Sequence, residues 1–157
     1  MRPLYVATVV WTGLGLASGL FYREFTKINK FTGDTQLAVA HAHLLVLGTL
    51  VFLILLPLTR VFRLAADRRF RWFLRLWNTG LALTGAGLIG KGVLQVLGHP
   101  LATSPAIAGG SGLGHILLTV AFVLLFLVLR RAVLAAERED GPHAPAVLDP
   151  QTGGARA

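Results

Sequence analysis

Histidine is the side chain in this sequence best suited to hold a metal or a haem iron, and its spacing is uneven. His41 and His43 lie two residues apart, His99 stands before a proline, His115 follows Gly112-Leu113-Gly114, and His143 lies close to the C-terminal end. Cysteine is absent, which excludes disulfides, thiolate metal sites, iron–sulfur clusters and covalent haem attachment, and leaves imidazole as the strong nitrogen ligand. On a helix, side chains two apart diverge by roughly 200° at about 100° per residue, so His41 and His43 cannot approach one iron from the same direction. A second ligand has to come from another helix. No Ser lies beside a base and no carboxylate pair falls within an apolar run, so nothing supports a hydrolase.

The elements that position these residues are long apolar runs. With 54% hydrophobic and 14% charged residues, the 157-residue chain does not fit a soluble surface, and its apolar side chains are expected to meet lipid. Four runs suit membrane-spanning helices: Leu4 to Tyr22, Leu37 to Leu58, Phe73 to Leu97 and about Leu113 to Leu129. Gly98 to Gly112, rich in Gly, Pro and Ser, reads as a connector. Ala17-Ser18-Gly19 faintly resembles a signal-peptidase site, but with only Arg2 ahead of a long apolar run the first segment reads as a retained helix. The fold expected is all-α, a four-helix transmembrane bundle over residues 1–133, followed by a disordered cytoplasmic tail over 134–157 that contains His143.

Net charge +8 does not come with an aromatic-interleaved basic patch, so nucleic acid is not an expected partner. The cations instead read as a topology signal. Arg60, Arg63, Arg68, Arg69, Arg71 and Arg75 follow the second run, and Arg130 and Arg131 follow the fourth, which places these ends and both termini in the cytoplasm. The outer side carries Arg23, Lys27, Lys30 and Lys91 with Glu24 and Asp34.

This topology brings His41, His43, His99 and His115 to the outer face. Ionisable groups within a span are costly and mark candidate sites. His41 and His115, at matched depth on two helices, are the expected axial ligands of one haem b. Gly48, seven residues after His41 on the same face, is expected to leave room for the macrocycle, and Arg23 and Lys91 either snorkel to water or pair with propionates. His43 is a candidate for the shell behind the ligands, and His99 reads as interfacial. Gly15 and Gly19 form a GxxxG pattern, and the third run carries Gly80, Gly85, Gly87, Gly90 and Gly92. These suit close helix contact, and predict a homo-oligomer or docking into a larger membrane complex. Gly85, Gly87 and Gly90 also spell GxGxxG, but no strand precedes them, so a dinucleotide site is not expected. Asn78 and Thr84 suit interhelical hydrogen bonds.

From about Leu4 to Arg131 the chain resembles a family of small four-helix bacterial membrane proteins of unknown function. The likeness rests on Gly19-Leu20-Phe21-Tyr22-Arg23-Glu24-Phe25-Thr26-Lys27, Phe31 to Leu37, His41-Ala42-His43-Leu44-Leu45-Val46-Leu47-Gly48, Gln95 to Gly98 and Gly112 to Leu118. That resemblance implies a multi-pass protein of the bacterial inner membrane. His41 to Gly48 is also similar to the second helix of subunit I in haem–copper oxidases of the cbb3 type and nitric oxide reductases. The second resemblance implies a low-spin haem ligand at His41 and a following polar position at His43. The chain has four runs rather than twelve or more and no obvious set of three further His for a copper centre, so oxidase activity is not implied.

Three function classes therefore stand side by side. A haem b module would carry electrons or sense through its haem. A copper or zinc protein would bind the metal at the outer face with His41, His43, His99 and His115, since neutral imidazole suits both metals. A structural or assembly subunit would use them for packing alone.

Overall fold

Local signals set where each helix begins and ends. The computed structural model of the protein describes residues 1–139, so His143 lies outside the described residues. Helix α1 spans Arg2–Ile28, with Pro3 in its first turn, where a missing N–H is harmless. Helix α2 runs over Gln36–Val61, and the Thr35 hydroxyl at its N-cap accepts from the Leu37 N–H at 3.4 Å. Helix α3 spans Arg68–Val96, and the Asp67 carboxylate caps it by accepting from the Arg69 N–H at 2.7 Å. Helix α4 spans Pro105–Glu139 and opens on a proline. Short 3-10 turns, Leu64–Ala66 and Pro100–Thr103, lie in the connections. No strand occurs among the described residues.

Both ends of α4 depart from the sequence expectation. The connector ends by Ser104, and Gly109, Gly110 and Gly112 are helical. Glycine disfavours a helix by about 1 kcal/mol per residue; the close approach of α4 to α3 in this stretch comes instead from Ser111 against Gly87 and from Gly114 against Gly80 and Thr84. At the other end α4 continues through Arg130 to Glu139, a stretch of Arg, Ala, Leu and Glu with high intrinsic helicity. Positions 134–139 of the expected tail are therefore helical.

Inside α2 the hydrogen bonding changes register. Gln36–His43 is α-helical, Leu44–Leu50 is a π-helical turn, and Val51–Val61 is α-helical again. A π turn admits one extra residue, rotates everything after it relative to everything before it, and often accompanies function.

Three helices, α1, α2 and α4, are long and apolar enough to cross a membrane. The third run, expected as a span, is less apolar, because α3 carries Asn78, two threonines, Lys91 and five glycines. Its position explains this composition. Helix α3 is the most enclosed, burying Phe70, Phe73, Trp77, Leu81, Thr84 and Leu88 along one side, so much of its surface meets protein. Packing is sequential: α1 against α2, α2 against α3, and α3 extensively against α4, while α4 packs on neither α1 nor α2. The expected bundle is thus an open arrangement around α3. Its core joins Trp11, Phe52, Trp77, Leu81 and Leu118, with Trp77 edge-on to Phe122 at 4.6 Å between centroids.

Candidate functional site

The end of the molecule where α1 and α3 finish and α2 and α4 begin gathers the histidines. On α2, the His43 ring nitrogen Nδ1 lies 3.0 Å from the Val39 carbonyl oxygen. On α4, Nδ1 of His115 lies 2.9 Å from the Ser111 carbonyl oxygen. A carbonyl can only accept, so each Nδ1 is the donor, and in the neutral ring the lone pair falls on Nε2. Metal-binding histidines commonly have this arrangement, one ring N–H tied to a carbonyl and the other nitrogen free. The two rings meet edge to face, with centroids 6.0 Å apart and planes at 76°. The backbones of α2 and α4 do not pack on each other, so the two helices meet here through these side chains, both helices resting on α3. His43 is half-buried and His115 exposed.

His41 points elsewhere. Its Nδ1 donates to the Gly15 carbonyl of α1 at 2.9 Å, and its ring lies over Gly19, where an added Cβ would stand 2.6 Å from Nδ1. The glycine pair of α1 is therefore a saddle for His41 within the same chain. The expected pairing of His41 with His115 shifts by two residues to His43 with His115. The 200° divergence between positions 41 and 43 is the physical reason: only one of them can face α4, and contact with α1 claims the other.

Gly48 also differs from expectation. An added Cβ there would lie 2.5 Å from Trp11 Cβ and 3.3 Å from Leu81, so the space beside Gly48 is filled by protein and not open to a macrocycle. Open space occurs instead at Gly112, one turn before His115, and at Gly109 and Gly110, where an added Cβ would meet nothing within 4 Å. Val39 and Val46, one turn to either side of His43, are exposed and apolar.

The remaining candidates lie at the periphery. Arg23 is exposed and stands 3.6 Å from Glu24, the one ion pair among the described residues. Lys91 is half-buried in the last two turns of α3. His99 caps the 3-10 turn, its Nδ1 accepting from the Leu101 N–H at 3.2 Å, which puts its proton on Nε2 and sets it apart from the other three. No group of three or more His, Asp or Glu that could hold a bare metal ion occurs among the described residues.

Two tryptophans tie α1, α2 and α3 together behind the histidines. Trp77 Nε1 donates to the Leu47 carbonyl of the π turn at 3.0 Å, and Trp11 Nε1 donates to Asn78 Oδ1 at 2.7 Å. Asn78 thus acts as the interhelical partner its composition suggested. Thr84 is fully buried against α4, and its hydroxyl has no partner. The pairing of His43 escaped sequence reasoning because its signal is rotational. The carbonyls that hold Nδ1 lie at the routine i−4 position, and the rotation of α2 depends on contacts with α1.

A protein-family model described as "Protein of unknown function (DUF2871)" matches residues 1–132, and the chain belongs to that family. No curated protein and no solved structure matches it.

Proposed function

We propose that this member of the DUF2871 family is a membrane haem b protein whose iron is held by His43 and His115. One observation carries the proposal: two imidazoles from different helices meet with ring centroids 6.0 Å apart, each with Nδ1 tied to a backbone carbonyl so that its Nε2 is the nitrogen left to bind iron. With a metal–imidazole bond of roughly 2 Å and a ring radius of about 1.2 Å, rings on either side of one metal ion stand on the order of 6 Å apart. The ring centroids stand 6.0 Å apart, edge to face, so ligation of one iron requires the rings to turn until both Nε2 atoms point at it.

Donor number favours haem over zinc or copper. A porphyrin brings four nitrogens, so two imidazoles complete six-coordination, whereas a structural zinc site takes four protein ligands and a catalytic one three. The described residues supply the pair without a third neighbour. Gly112 leaves a flat approach beside His115, and Val39 and Val46 give apolar walls beside His43. Arg23 and Lys91, cations at the same end, are the candidates for propionates. A bis-imidazole haem would supply one-electron chemistry with no open coordination site, which suits electron transfer or haem-dependent sensing.

In this reading all four helices cross the bacterial inner membrane, α3 within the shelter of its neighbours, and the arginine-rich end is cytoplasmic. Purification in detergent after growth with ample haem, followed by a pyridine haemochrome assay, tests it. One haem b per chain is expected. Protein that purifies colourless overturns the haem reading, and stoichiometric copper or zinc in its place would select the metal alternative.

A further inference from the structure

We propose a second site: an anionic phospholipid held with its phosphate against Arg68, Arg71 and Arg75 and an acyl chain along the furrow between α1 and α3. The proposal rests on the membrane reading above and is independent of the haem.

Helix α3 begins with an unusual charge pattern. Its first turn holds no acidic residue, and Arg68, Arg69, Arg71 and Arg75 occupy its first two turns. A helix N-terminus already carries positive partial charge, so cations there are disfavoured unless an anion neutralises them. Asp67 is engaged in capping, and the described residues contain no ion pair at this end. Arg68, Arg71 and Arg75 are all exposed and, with Trp72, line a hollow of about 170 Å³. Arg75 lies over the Trp72 ring, 5.2 Å from its centroid. An exposed indole beside arginines is the composition of a lipid headgroup layer.

Below the hollow the same stripe of α3 turns apolar. Steps of three and four residues carry it from Arg68, Arg71 and Arg75 to Asn78, Ala82 and Ala86. Asn78 helps line a furrow of about 570 Å³ whose α1 wall is Val6, Ala7 and Val10 and whose mouth holds Arg2. Beyond Trp11, which borders both, a second stretch of about 230 Å³ continues past Ala82 and Ala86. Small residues on α3 make the furrow, because α1 packs chiefly on α2 and only marginally on α3. A basic mouth above an apolar channel matches a lipid with an anionic head; a free phosphate would use the mouth alone.

Native mass spectrometry of the full-length protein, released from detergent containing equal phosphatidylglycerol and phosphatidylcholine, tests the proposal. Phosphatidylglycerol should be retained at least about tenfold over phosphatidylcholine. The variant with Arg68→Gln, Arg71→Gln and Arg75→Gln should lose that preference, whereas the charge-matched variant with Arg130→Gln, Arg131→Gln and Arg138→Gln should keep it. Filling the furrow with Ala82→Leu and Ala86→Leu should lower retention with the arginines intact. Equal retention of the two lipids by the parent protein overturns the proposal without recourse to any variant. Equal losses in the two arginine variants, or complete displacement by equimolar inorganic phosphate, would overturn it as well, pointing to a diffuse field or to a small-anion site. None of these readouts depends on haem.

Discussion

His41, His43 and His115 each direct Nδ1 to a backbone carbonyl, yet the three carbonyls assign them different work. His43 and His115 bond within their own helices, which orients the rings and leaves them free to meet. His41 bonds to α1 and so joins two helices. His41→Ala should therefore act on stability: it removes an interhelical hydrogen bond and leaves the ring's place over Gly19 empty, a loss of about 1–3 kcal/mol. Thermal denaturation in detergent checks this, and a melting temperature equal to that of the parent would contradict it. His99→Ala should leave stability nearly unchanged, since it removes only an exposed turn bond. The sequence made the histidine cluster legible through topology, and it showed that positions 41 and 43 face different ways. It did not show which faces α4, because rotation of α2 is set by Gly15, Gly19 and Trp11 on a distant segment.

At the scale of the helices, glycine governs spacing. Gly15 meets Leu45, Gly19 meets His41, Gly48 meets Trp11, and Gly92 meets Leu37 and the backbone at Gln36. These contacts lie within one chain, so the GxxxG pattern of α1 is used internally. Gly19→Leu should destabilise the fold by about 1–3 kcal/mol through overpacking against His41, with no change in assembly size by light scattering. A variant of parental stability that shifts to a smaller assembly would instead assign Gly19 to an intermolecular contact. The four helices were legible as apolar runs, whereas the caps at Thr35 and Asp67 come from the structure. The π turn over Leu44–Leu50 left no comparable trace, since a change of hydrogen-bond register alters no apolar period strongly enough to read over seven residues. The extension of α4 through three glycines was hidden because glycine disfavours a helix, and the contact of Ser111 with Gly87 on α3 is not a local signal.

For the whole molecule, charge and shape divide along one axis. One end carries Arg2, Arg60, Arg63 and the arginines opening α3 and closing α4; the opposite end carries His41, His43, His99 and His115. The proposed cytoplasmic placement of the basic end predicts that a cysteine at Lys30 is labelled by an impermeant reagent from outside the cell and one at Arg68 is not. The reverse pattern would put the histidines at the inner face. The open packing around α3 leaves His115 exposed and His43 half-buried, and haem ligation by this pair is what the proposed function depends on. Its most direct test is the absorption spectrum of purified His43→Ala, His115→Ala and His41→Ala beside the parent protein, all expressed with ample haem. The parent and His41→Ala should show the spectrum of six-coordinate low-spin haem b, while His43→Ala and His115→Ala should lose the haem or become high-spin. Retention of the low-spin spectrum in His43→Ala together with its loss in His41→Ala would contradict the assignment.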